Sequence, residues 1–307
     1  SIESHKLLVK ELLLTLTNSK NTEEFNHNWT RIAAHFDLLF TTEQSIEQLK
    51  STILQLAVIG KLVPQNPNDE AASKLLERIT KEKEQLVKDK KIKKVKELPT
   101  ISEKANNLPI GWEYSYFQNI TKVITCGMAS TPKYHDSGKI FLSAKNVKPY
   151  KFMPEEHKFV DQETFDKITR NALPELDDIL LTRVGAGIGE AALVNQNIEF
   201  AFYVSLTLIK PFSNALNSKY LLHWLNSPEG VQKSIDNIYG SGVSQGNLNV
   251  NQVRAFQIPI PPLDEQNRIV ESIDNLFDIC NKLKEKIIES SATKVTLSTA
   301  IVEKTLG

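Results

Sequence analysis

Residues 241–270 read SGVSQGNLNVNQVRAFQIPIPPLDEQNRIV. Three different patterns follow one another in this stretch. Residues 241–249 are rich in Gly, Ser, Asn and Gln and almost free of apolar side chains, as in a polar loop. Residues 255–260 form a short β-like run closed by Pro261 and Pro262. Asp264 and Glu265 then stand in the first turn of a long helical pattern. A preceding proline and early carboxylates both suit the unpaired N–H groups and the positive end of a helix dipole. A polar loop wired by one strand to a rigid rod is the layout of a binding module on a spacer.

The rod extends over residues 264–306. Ile269, Ile273, Leu276, Cys280, Leu283 and Ile287 alternate spacings of four and three, Leu297 and Ile301 stay in phase, and Ser290 and Lys294 weaken the seam. Such a helix is roughly 60 Å long, too long for a small globule to bury, so it needs a long partner. Residues 41–62 offer one. Ile46, Leu49, Ile53, Leu56 and Gly60 repeat the same seam, and Val63-Pro64 is expected to end it. A loose internal repeat links the two regions: RIAAHFDLLF at 31–40 resembles RIVESIDNLF at 268–277. Before that helix, residues 1–40 read as short helices broken by a polar, loop-like stretch at 19–28.

Residues 68–96 begin as a helix and run into KEKEQLVKDKKIKKVKE, which reads as a solvated helix face fading into a linker or as a contribution to DNA backbone binding. The character changes at residue 108. Short β-like runs at 112–117, 139–142, 178–183, 190–194, 200–209 and 256–260 are separated by Gly, Pro and Asn turns, with helices expected at 218–227 and 228–238. The fold class is therefore α+β, with a curved or partly closed sheet. The expected domains are a helical region at 1–107, a β-rich domain at 108–262 and a long helix at 263–307.

Lys+Arg and Asp+Glu both number 37, so net charge gives no support to a general polyanion binder. The distribution is uneven, however. Lys122, Lys133, Lys139, Lys145, Lys148 and Lys151 face only Asp136 within residues 122–151, and acidic residues dominate 155–178. A segregated basic segment can steer a phosphate backbone onto one face of a neutral protein. The segment interleaves its lysines with Ser130, Thr131, Tyr134, Ser143 and Asn146, types that contact phosphates and base edges, although a lysine-rich surface hairpin has the same composition.

Other chemistries fit less well. Gly185, Gly187 and Gly189 are wrongly spaced for a dinucleotide loop and precede a second β-like run, so a tight hairpin accounts for them better. The six histidines show no metal-ligand spacing, and neither a methylase Asn-Pro-Pro-aromatic motif nor a Walker A loop is found. Cys126 and Cys280 are far apart and read as small core residues. No membrane span or signal-peptide pattern is evident, and Ser1 suggests a trimmed start; a cytoplasmic, reducing compartment is expected.

Four segments resemble the specificity subunits of type I restriction-modification enzymes. They are LQLAVIGKLV at 54–63 with PNDEA at 67–71, LPIGW at 108–112, DILL at 178–181 with the 185–189 glycines, and QGNLN at 245–249 with IPIPPLDEQNRIV at 258–270. The resemblance implies a non-catalytic DNA-recognition subunit. It implies one β-rich target recognition domain flanked by long helices that pair as an antiparallel coiled coil. Partners would be double-stranded DNA, methylase (modification) subunits using S-adenosylmethionine and a restriction subunit using ATP and Mg, with no cofactor on this chain. Family members carry two recognition domains, and this chain has one, so a homodimer through the long helices is a further expectation. A recognition subunit for a type IIB-like nuclease-methylase, and a coiled-coil assembly protein without DNA reading, are the alternatives. Lys122, Lys133, Lys145 and Lys148 are expected to position the DNA backbone. Thr131, Tyr134, Asn146, Ser244, Gln245 and Asn247 are expected at base edges.

Overall fold

Helices begin and end the chain, and strands fill its middle. The computed structural model describes residues 2–101, 108–170, 172–240 and 246–306. Two compact units divide it: Ser1–Ala57, Lys61–Val63 and Glu271–Gly307 form one, and Val58–Gly60 with Pro64–Val270 the other.

In the helical unit, α1 (Ile2–Thr17), α2 (Thr22–Ala33), α3 (Phe36–Leu39) and α4 (Glu43–Val58) follow in order. Val9, Leu13 and Leu16 of α1 and Ile46, Leu49 and Ile53 of α4 are buried, the helical stripes that periodicity requires. The expected loop at 19–28 is shorter than read. Asn21 caps α2 by accepting from the Glu24 N–H at 2.8 Å, so the helix starts at Thr22. The Lys61 ammonium donates to the carbonyls of Thr17 and Ser19, which puts a cation at the C-terminal end of α1. α4 also stops earlier than Pro64. Gly60 takes φ +70° and the Lys61 N–H reaches back to the Leu56 carbonyl, a left-handed glycine cap.

The second unit starts with α5 (Ala72–Lys88), which packs on β1 (Glu113–Tyr116) and the 117–120 turn. The expected boundary at 107 and 108 therefore does not coincide with the division into units, because α5 lies with the strands. Next come β2 (Thr121–Cys126), β3 (Lys139–Leu142), β4 (Val147–Lys148), β5 (Lys151–Phe152), β6 (Lys158–Val160), α6 (Gln162–Thr169) and β7 (Ile179–Thr182). Then follow β8 (Ala191–Leu193), β9 (Phe200–Phe202), β10 (Leu206–Pro211), α7 (Ser218–Asn226), α8 (Pro228–Asp236), β11 (Ile238–Tyr239), β12 (Asn247–Leu248), α9 (Val250–Arg254) and β13 (Gln257–Ile260).

An antiparallel sheet has the order β2-β10-β7-β8, and a smaller one the order β6-β3-β9, in which β3 and β9 are parallel. Leu142, Phe200 and Phe202 of the smaller sheet, Leu180 and Leu208 of the larger one, and Phe152 of the β4-β5 pair share one core. The run 200–209, expected as one strand, is two. Its polypeptide leaves the small sheet at Phe202, turns through Tyr203, Val204 and Ser205, and joins the larger sheet at Leu206. That exchange allows Phe200 and Phe202 to pack in the same core as Leu206 and Leu208. β1 and β13 form a separate antiparallel ribbon, with Glu113 opposite Ile260.

β13 leads into α10 (Leu263–Leu306). Its first turn does more than complement a dipole. Gln266 is fully buried, donating to the Pro261 carbonyl and accepting the Asn217 N–H that opens α7. Glu265 accepts from Gln65 at 2.7 Å, and Arg268 is paired with Asp69 at 2.6 Å. Burial pushes the Glu265 carboxyl up, opposed in part by Arg268. Farther along, within the helical unit, α10 and α4 run antiparallel. Lys284 bonds Glu43 and Glu47, while Lys50, later in α4, meets Phe277 and Asn281, earlier in α10. The paired-helix expectation holds here, but α4 has 16 residues against 44 in α10. Ile273 and Cys280 are buried, whereas Val295 and Leu297 are more than half exposed.

Candidate nucleic-acid interface

The Tyr203–Val204–Ser205 turn is the joint of the β-rich unit. The Val204 N–H donates to the Met128 carbonyl, and the Tyr203 N–H to the Leu142 carbonyl, both at 2.9 Å. The Ser205 hydroxyl accepts from the Ala144 N–H at 3.0 Å. Thr131 lies 3.5 Å from the Tyr203 hydroxyl. The loop after β2 and the turn after β3 are thus both anchored on three consecutive residues. Gly127 is needed for this approach, since a Cβ there would strike the Phe202 carbonyl.

Arg183, at the end of β7, brings in the third segment. It is only 7% exposed. Its Nε donates to the Leu248 carbonyl at 2.9 Å, Nη1 to the Val204 carbonyl at 3.0 Å and Nη2 to Asn247 Oδ1 at 2.6 Å. Its backbone N–H also reaches Ser205, and its carbonyl accepts from the Leu248 N–H. Three of the five N–H donors of the planar guanidinium, one on each nitrogen, are thereby used on fixed acceptors. The residues after 245 are tied through Arg183 to the same turn that holds the 128–131 and 142–144 segments.

The expected contact residues divide on this frame. Thr131, Lys133 and Tyr134 lie exposed on the loop after β2, where the Tyr134 ring packs 6.0 Å from Phe141. Lys145 is exposed on the turn after β3. Lys148 is exposed and reaches Glu190 at 3.1 Å, on the hairpin between β7 and β8. That hairpin has Gly185 and Gly189 at φ near +95° and the Gly189 N–H on the Thr182 carbonyl, as the glycine spacing leads one to expect.

Asn146 is a correction. It is 3% exposed, its Oδ1 accepts from the Ser143 N–H, and its Nδ2 donates to the carbonyls of Met153 and Glu156. With both ends of its amide committed to backbone, it shapes the turn that presents Lys145 and is not placed to read a base. Asn247 has its oxygen on Arg183, which fixes its orientation. Ser244 and Gln245 lie outside the described residues. Lys122 stands apart. It sits at the start of β2, about 17 Å along the strand from Gly127, with its ammonium over the Phe212 ring. Arg183 and the 203–205 turn went unassigned in the sequence. A single arginine closing an otherwise apolar strand, directly before a glycine turn, was the available signal for the first.

Loops carrying exposed lysines, a threonine and a tyrosine, anchored at one turn, present a basic, polar surface. Residues 109–290 match the family described as "Type I restriction modification DNA specificity domain", and this chain belongs to that family. It is 37% identical over 320 residues to the type I restriction enzyme EcoEI specificity subunit of Escherichia coli, covering 100% of this chain and 53% of that protein. The EcoAI specificity subunit of the same organism is 36% identical, covering 100% and 52%. Among solved structures, the HsdS subunit of Thermoanaerobacter tengcongensis aligns with a TM-score of 0.46 at 18% identity, over 84% of this chain and 57% of that one. The chain spans about half the length of the curated relatives it matches.

Proposed function

We propose that this chain is a non-catalytic recognition element that reads one half of a bipartite duplex DNA target within a type I restriction-modification complex. The observation that carries this reading is the convergence of the 128–131, 142–144 and 247–248 segments on Tyr203, Val204 and Ser205. Lys133, Lys145 and Lys148 would hold phosphates, and Thr131, Tyr134, Asn247, Ser244 and Gln245 would meet base edges. Methylase and restriction subunits would assemble around the chain, bringing S-adenosylmethionine, ATP and Mg, and the long helices would pair with a second copy or a second half. Among the described residues no helix is long and apolar enough to cross a membrane.

The test is selection from a random duplex pool with the isolated chain. A selected sequence bound more than about 10³-fold tighter than random duplex supports sequence reading. Equal affinity for selected and random duplexes would sink it. Gln245→Ala should then relax discrimination at one base pair by about 1–3 kcal/mol.

A further inference from the structure

A second basic site lies in the β-rich unit, at the other end of β2 from the loop anchor. It is a cleft of about 390 Å³. Lys90, Lys91 and Lys93 line it from the segment after α5, Lys122 from β2, Arg170 from the end of α6 and Arg254 from α9. Lys83 stands at its inner wall, donating to the carbonyls of Gln118 and Thr121. Among the described residues that line the cleft there is no carboxylate. Glu175 is within electrostatic reach of Lys122, but its carboxylate is bonded to Lys210 at 2.8 Å.

Two ordinary explanations cover only part of this. Basic residues suit a helix C-terminus, which accounts for Lys88 and Lys90 at the end of α5. It does not account for Lys122, Arg170 and Arg254, which arrive from three other elements. A solvated charge run explains exposed lysines in one segment, but not a walled cleft. Arg254 is also held in place, donating to the Ile124 carbonyl at 2.7 Å and to Asn251 at 2.8 Å. The wall has a backbone cost as well. Lys90 takes φ +57° at the left-handed position that ends α5, with the Lys91 N–H on the Leu86 carbonyl. Glycine fits that position best, and here a lysine occupies it. Lys90, Lys91, Lys122, Arg170 and Arg254, gathered with no carboxylate among the described lining residues, repel one another unless an anion lies between them.

We propose that this cleft binds phosphates of the DNA backbone outside the base-reading loops, as a sequence-independent clamp. The proposal rests on the DNA-recognition reading above. A row of phosphates supplies the repeated anions that cations spread over four segments require, and displaces condensed counterions in doing so.

The experiment uses the full chain with Lys90→Gln and Lys91→Gln combined, and a second variant with arginine at the same two positions. Affinity is read by fluorescence anisotropy for a selected and a random duplex across a salt series, and inorganic phosphate binding by calorimetry. The clamp predicts that the glutamine variant loses affinity for both duplexes by the same factor. Its slope of log affinity against log salt falls by about 0.9 for each phosphate that is no longer neutralised, and the arginine variant restores both. Three results overturn it: unchanged affinity and slope while the wild type still prefers its selected duplex, loss of that preference without a change in slope, or an effect confined to inorganic phosphate. A wild-type chain that binds no duplex overturns the recognition reading and the clamp together, so the two failures differ.

Discussion

Arg183 and Asn247, 64 residues apart in sequence, meet through a 2.6 Å bond from the guanidinium Nη2 to the amide Oδ1. The same guanidinium ties Leu248 to Val204 through their carbonyls. The contact is therefore a junction between the end of one strand, a sheet-switching turn and the chain segment that follows residue 245.

Breaking that junction should be expensive. Arg183→Met leaves the Leu248 and Val204 carbonyls without their donor in a buried setting, and about 3 kcal/mol of stability should be lost. Asn247→Ala removes one charge-assisted acceptor and should cost about 1–2 kcal/mol. Urea unfolding of the two single variants and the double should give a coupling energy above about 0.5 kcal/mol. Strict additivity would mean that the bond carries no energy of its own.

Asn146 and Lys145 are adjacent and should behave oppositely. Asn146→Ala removes a capping amide with three bonds and should destabilise the fold by about 2 kcal/mol, while base preference stays as it was. Lys145→Ala should leave unfolding unchanged, weaken binding to all duplexes alike and lower the salt slope by about one. Denaturation curves and anisotropy titrations on both variants separate the two roles.

Lys210 is bonded to Asp178 at 2.6 Å and to Glu175 at 2.8 Å. Burial pushes the Asp178 carboxyl up and Lys210 opposes that rise, while the same lysine holds the exposed Glu175 carboxyl down. Lys210→Met strands the buried Asp178 charge and should destabilise the chain by about 3 kcal/mol near neutral pH. Adding Asp178→Asn should recover part of the loss. A double variant less stable than Lys210→Met alone would contradict this account.

Burial pushes the Lys83 ammonium down to about 8 from its ordinary 10.5. Because the folded value lies below the unfolded one, this group favours the unfolded chain below pH 8. Its contribution to stability rises as pH increases from 8 to 10.5, where the unfolded chain binds the extra proton. Heteronuclear titration of the Lys83 side chain should give a midpoint near 8. The stability difference between wild type and Lys83→Met should shift toward the wild type over that window, and a flat difference would count against the assignment.

Much of the architecture was legible from local pattern. The seams at 46–56 and 269–287 gave the paired helices, because a stripe of spacing three and four has to meet another helix. The helices expected at 218–227 and 228–238 are α7 and α8, which the structure shows to be capped by Asn217 and Ser227. The glycines at 185 and 189 announced the hairpin. What could not be read was non-local. The run from Phe200 to Ile209 contains no glycine, proline or asparagine to mark its turn, so the switch between sheets leaves no local trace. Asn146 looks like a loop asparagine until Met153 and Glu156 fold back over it. Lys90 to Lys93 read as a fading helix face because the residues that wall them into a cleft lie at 122, 170 and 254.

Most of the joints at the 203–205 turn are made by peptide groups. Met128, Leu142 and Val204 contribute carbonyls or N–H groups, and the side chains of Lys133, Tyr134 and Lys145 project beyond them. Point substitutions in those side chains therefore leave the joints standing. A lineage carrying this scaffold can vary those exposed side chains one at a time, each intermediate still folded, as long as Arg183 keeps its three acceptors.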